Sequence, residues 1–134
     1  MGTYEFDLVT GDRNWEEPYW IDHLAGLILM EDARNEGLRQ IDPALSDEAK
    51  AAARKAIDDT LYGLMQTVEG ITSLANEEYY AELNLVVVLK NQDDEVVASL
   101  DLRECDGACM GYHMWTSGDF GDVPIARRRP PRRM

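Results

Sequence analysis

The chain has 134 residues, with 26 Asp and Glu against 13 Lys and Arg, a net charge of −13, 45% hydrophobic residues and two cysteines. That length predicts one domain able to bury about two-thirds of its unfolded surface without disulfides or a structural metal, and the apolar fraction excludes a wholly disordered chain. Arg127, Arg128, Arg129, Arg132 and Arg133 lie in the last eight positions, so the remainder sets eight basic against 26 acidic residues, a charge of −18 that argues against a nucleic-acid surface on the folded body.

In chain order, Tyr4, Phe6 and Leu8 alternate with Glu5 and Asp7, which predicts a strand over 4–9 ended by Thr10-Gly11-Asp12. Glu17-Pro18 is a helix start and Gly37 a stop, so a first helix is predicted over 18–36 with Trp20, Leu24, Leu27 and Ile28 on its buried face and Ile21 and Ala25 beside them. Ser46-Asp47-Glu48 supplies an N-cap and two first-turn acids for a second helix over 46–69. Its stripe is Ala53, Ile57, Thr60, Leu61, Leu64 and Val68, and Gly70 follows it. Gly26 and Gly63 inside the helices predict close helix–helix contact, because each costs about 1 kcal/mol relative to Ala.

Residues 82–90 are apolar on both faces at their centre, which predicts an interior strand, and Asn91-Gln-Asp-Asp94 turns it into a hairpin with 96–103. A last strand is placed at Gly111–Trp115. The order β-α-α-β-β-(β) predicts an α+β fold in two layers, a small antiparallel sheet of three to four strands with two helices packed on one face. Residues 1–125 form this single domain, and 126–134, with two prolines and no apolar pattern, form a flexible basic tail able to fold back onto the acidic body. No apolar run approaches the roughly 20 residues of a membrane span. The N-terminus lacks the marks of a secretory or myristoylation signal, so the expected setting is cytoplasmic with reduced thiols.

Cys105-x3-Cys109-x3-His113 is the most metal-like spacing, two thiolates and an imidazole being natural zinc ligands. The competing expectation is that Asp106-Gly107 is a turn and the cysteines are small buried hydrophobes. On the second helix Asp58, Tyr62, Met65 and Glu69 line one flank, where Arg54 and Lys55 are placed to neutralise the acids. Glu31 continues the apolar stripe of the first helix, where an ion pair with Arg34 or Arg39 competes with a role as a perturbed general acid or base, and lone His23 is expected to be a packing residue. Asp119-Phe120-Gly121 spells the kinase magnesium triplet, but the chain is too short for that fold and lacks its other motifs. No nucleophile elbow, phosphate loop, dinucleotide fingerprint or calcium loop is present.

The segment Ala56-Ile-Asp-Asp-Thr-Leu-Tyr-Gly-Leu-Met-Gln-Thr-Val-Glu-Gly70, two strands, and then Gly111-Tyr-His-Met-Trp-Thr-Ser-Gly-Asp-Phe-Gly121 resemble the layout of small acidic bacterial proteins, some of which are immunity proteins of toxin systems. The resemblance covers about half the chain and implies an immunity- or inhibitor-like protein that binds a protein partner. It carries over no site residue.

Charge and aromatics therefore predict a non-enzymatic binding protein for a basic partner, in which Trp15, Tyr19, Asp58, Tyr62, Glu69 and Trp115 form the contact surface. Homodimerisation is expected, and no cofactor. The alternative is a metal-binding protein or metal-dependent enzyme that uses Cys105, Cys109 and His113 with zinc, or the Glu31 and Asp58 carboxylates.

Overall fold

The computed structural model describes residues 2–10, 18–70, 74–104, 108–121 and 124–130, with the side chains of Pro18 and Tyr19 left out. Its architecture is α+β. Strand pairing differs from the expected single sheet: three separate two-stranded antiparallel ladders take its place among the described residues.

Gly2–Glu5 form a 3-10 turn leading into β1 (Phe6–Leu8), so the period-two pattern of the N-terminus becomes strand only from Phe6. A long helical stretch follows in three parts: α1 (Pro18–Ile28), a π-helical segment (Leu29–Arg34) and α2 (Asn35–Arg39). Trp20, Ile21, Leu24 and Ala25 are buried, as the stripe requires, but Ile28 is exposed and Met30 is buried. Both residues lie at the junction where the π segment begins, and its i→i+5 bonding turns each residue less than an α-helix does, so the face read from an α-helical period no longer holds beyond Ile28.

α3 (Asp47–Val68) matches its predicted span. The Ser46 hydroxyl accepts from the Ala49 amide at 3.1 Å, both first-turn positions are acidic, and Gly70 has φ +80° just past the end. Arg103 closes the C-terminus by donating from Nε to the Val68 carbonyl at 3.1 Å, while its other guanidinium arm pairs with Glu82. Beyond α3 a short ladder joins β2 (Leu74–Ala75) to β3 (Tyr80–Ala81).

The predicted hairpin is present as β4 (Val86–Lys90) and β5 (Val96–Asp101), with a bulge at Leu89/Lys90. In its turn the Asn91 side chain accepts from the Asp93 and Glu95 amides, and Asp94 takes φ +63°. Val87, Leu89 and Leu100 face the core, whereas Val86 and Val88 face solvent. β4 is thus not the interior strand expected from its apolar run, because β5 is its one partner among the described residues.

The last predicted strand, at 111–115, is instead helix α4 (Ala108–Thr116). Ala108, Gly111, Tyr112 and Trp115 are buried at helical spacing, a period that the local run Gly-Tyr-His-Met-Trp conceals. β6 (Ala126–Arg128) lies in the stretch expected to be a mobile tail, yet it pairs antiparallel with β1, Phe6 opposite Arg128 and Leu8 opposite Ala126. One core joins α1, the ends of α3 and α4, and the inner hairpin face around Met65, Leu102 and Trp115, the latter 2% exposed.

Candidate functional site

Chemistry-bearing side chains gather where α4 crosses the C-terminal half of α3. Arg34, at the end of the π segment, donates from Nε to Asp58 Oδ1 at 2.6 Å and from Nη2 to Oδ2 at 3.3 Å, and the Tyr112 hydroxyl donates to Oδ1 at 2.7 Å. The Arg34 donors hold the Asp58 carboxyl below its ordinary value, with the Tyr112 hydroxyl adding to the effect against the opposing pull of burial. Burial first, and the Asp58 carboxylate second, push the Tyr112 hydroxyl well up, so it stays protonated as a donor. This trio is matched in charge and in donors, which suits it to joining the π segment, α3 and α4 rather than to moving a proton.

One helical turn along, the Tyr62 ring lies 5.2 Å from that of His113 and 6.0 Å from that of Tyr112. Glu69 Oε1 accepts from the Cys109 amide at 2.9 Å and so satisfies one of the open donors at the start of α4. Burial, and then the neighbouring Glu69 carboxylate, push the Cys109 thiol up to about 11, which leaves it a protonated packing group and not an activated nucleophile.

The sequence-predicted residues fall into distinct places. Asp58, Tyr62 and Glu69 do share one flank of α3, with Cys109 and His113 of α4 against it, but Asp58 is committed to Arg34 and Tyr112, and Glu69 to α4. Lys55 pairs with Asp59 four residues on, an ordinary helix pair of the kind expected. Trp115 is a correction: it lies in the core with its Nε1 donating to His23 Nδ1 at 3.1 Å, and its indole fills the space left by Gly26 and Gly111, so it offers no partner surface. The expected partners of Glu31 are engaged elsewhere, Arg34 with Asp58 and Arg39 with Glu36. Trp15 and Cys105, and the side chain of Tyr19, lie outside the described residues. Among the described residues no three His, Cys, Asp or Glu side chains are grouped to hold a metal ion.

A shallow groove of about 360 Å³ runs between the π segment, α2 and α3, lined by Ala33, Gly37, Ala56, Ile57, Thr60 and Leu61; it carries no titratable side chain. A different surface was missing from the sequence reading. Leu74, Tyr79 and Tyr80 on the β2–β3 arm are 72–80% exposed, and Leu83, Val86, Val88, Val96 and Val97 continue the exposed apolar series into the hairpin. Within residues 74–97 the charged groups are Glu77, Glu78, Glu82, Asp93, Asp94 and Glu95 against Lys90 alone. The signal was the valine run at 86–88, which is too apolar for a strand with one covered face.

Comparison with known protein families, with curated proteins and with solved structures finds no match to the chain.

Proposed function

We propose that the protein is a non-enzymatic interaction protein that docks a basic protein partner on the β2–β3 arm and the outer face of the β4–β5 hairpin. The observation that carries this reading is the exposed series Leu74, Tyr79, Tyr80, Leu83, Val86, Val88 and Val97 set among six acids and one lysine. Isolated apolar side chains on a surface need no explanation, but a series concentrated in one stretch of chain, with acids in excess of bases among it, has the composition of a contact surface. The acids would steer a basic partner during encounter, and the aromatic and branched side chains would supply the desolvated contact. No helix among the described residues is long and apolar enough to cross a membrane.

The test compares the full chain with a Tyr79→Ser, Tyr80→Ser, Val88→Thr variant of unchanged net charge, each used to capture basic proteins at low and at high salt. A basic protein held by the parent chain at low salt, and lost both in the variant and at high salt, supports the reading. Equal capture by both chains, or capture indifferent to salt, overturns it. A tightly held zinc ion that disappears in a Cys105→Ser, Cys109→Ser variant would put a metal centre in its place.

A further inference from the structure

The two ends of the described chain meet in a pairing whose chemistry goes beyond closing a sheet. β1 and β6 form a three-residue ladder, extended by the Val9 amide donating to the Ile125 carbonyl at 2.9 Å and the Arg129 amide donating to the Glu5 carbonyl at 2.8 Å. On that backbone frame each arginine is recognised twice. Arg128 donates to Glu5 Oε2 at 2.8 Å and lies 4.8 Å from the centre of the Phe6 ring; Arg129 donates from Nε to Asp7 Oδ1 at 2.7 Å and lies 5.6 Å from the Tyr4 ring. An acid and an aromatic ring for each guanidinium, at strand spacing, is a recognition pattern for arginine in an extended peptide.

The occupant is held lightly. Ile125 is buried in the core and anchors the strand, but Arg127 to Pro130 are exposed and rest on a short ladder and solvent-facing ion pairs, which contribute little against water and salt. The geometry points to β1, with Tyr4, Glu5, Phe6 and Asp7, as a docking strand for an extended arginine-bearing peptide segment of another protein, and to the chain's own Arg127–Arg129 as its displaceable resident. The partner chemistry follows from what is seated there: a segment that offers a backbone edge and two successive arginines. Tethering gives the resident an effective concentration on the order of millimolar, so a single weak segment in trans is kept out while a tight or multivalent one displaces it. This inference rests on the reading of the protein as a binder of basic partners but places an arginine-specific element on β1 rather than on the hairpin face.

The probe is a fluorescent peptide of sequence Pro-Ile-Ala-Arg-Arg-Arg-Pro, followed by anisotropy against three full-length proteins. Weakening the resident with Arg128→Ala and Arg129→Ala is expected to tighten peptide binding about tenfold over the parent chain, and adding Glu5→Gln and Asp7→Asn to that variant is expected to abolish the gain. Equal binding to the parent and the arginine variant overturns the proposal. So does binding that survives loss of Glu5 and Asp7, which would place the peptide elsewhere on the acidic body, and so does a strand-exchanged dimer of the parent chain, which would make a second copy the occupant.

Hydrogen exchange on the unaltered protein gives a reading that does not depend on variants folding. The Val9 and Arg129 amides should exchange about tenfold faster when salt is raised from about 0.05 M to about 0.5 M, and protection unchanged by salt overturns the clasp. The Tyr79, Tyr80 and Val88 substitutions leave β1 untouched. Peptide binding that persists in that variant while partner capture fails, or the reverse, therefore separates failure of this inference from failure of the hairpin-face reading.

Discussion

At Gly26 the packing leaves no room for a methyl group: a Cβ there would fall inside the Trp115 indole, and one at Gly111 would come within 2.7 Å of the same ring. Gly63, which has the same place in its helix as seen from sequence, has nothing within 4 Å of a built Cβ. The two glycines therefore separate under one substitution. Gly26→Ala is expected to destabilise, because overpacking of about 1–3 kcal/mol outweighs the roughly 1 kcal/mol of helix propensity gained, whereas Gly63→Ala is expected to stabilise by up to about 1 kcal/mol. Urea denaturation of both variants checks the signs, and a matching sign would remove the packing argument. Asp58 gives the second test. Its folded carboxyl is held below its ordinary 3.8, so its stabilising effect is present above that pH and is lost as pH falls through the depressed value. Asp58→Asn should lower stability by about 1 kcal/mol at neutral pH, the low end for a charge-assisted bond since 36% of the side chain meets solvent, and the gap from the parent should close in acid. A gap constant across that range would assign the cost to shape and not to charge.

Elements were legible where every local signal agreed. In α3 the cap, the acidic first turn, the stripe and the terminal glycine all point one way, and the span came out within a residue of its expected ends. Ser46→Ala tests how much of that rests on the cap: a loss of about 1 kcal/mol is expected, with the fraying confined to the first turn and visible as faster exchange of the Ala49 amide. Loss of the whole helix would instead mean that α3 depends on its cap more than on its packing. α4 was illegible for a tertiary reason. Its Gly111 makes room for a ring that also presses on Gly26 of another helix, and glycine read locally weakens a helix. The π segment was hidden likewise, since a change of hydrogen-bond register leaves no compositional mark, and Arg34 at its end is the residue that reaches Asp58. The wheel did place Asp58, Tyr62 and Glu69 together. It could not supply Tyr112 and Cys109, which arrive on the misread element, nor reveal that the second face of β4 stays open.

For the molecule as a whole, charge sets a constraint that no arrangement of pairs escapes. Thirteen bases can neutralise at most half of the 26 acids, so at least 13 carboxylates are uncompensated in the folded state whatever their partners. The ion pairs among the described residues do not offset this. Arg39–Glu36, Lys55–Asp59 and Lys90–Asp94 are local pairs three or four residues apart, which form on the surface and contribute little against water, and the Glu5 and Asp7 pairs with the C-terminal arginines lie outside the core beyond Ile125. Compaction brings like charges within a Debye length, about 10 Å at 0.1 M salt, and added salt screens that repulsion in the folded state more than in the expanded chain. Raising sodium chloride from about 0.02 M to about 0.3 M is therefore expected to increase global stability by about 1 kcal/mol, a rise of roughly 3–5 °C in Tm for a chain of this size. The clasp between β1 and β6 responds in the opposite direction, opening as the core tightens, because its arginine pairs are the attractive minority in a repulsive field. Thermal unfolding and amide exchange measured across one salt series read both signs at once. A Tm that falls with salt would show that Arg34–Asp58 and Arg103–Glu82 outweigh the excess of acid, and would shift the origin of this fold's stability from its apolar core toward its few ion pairs.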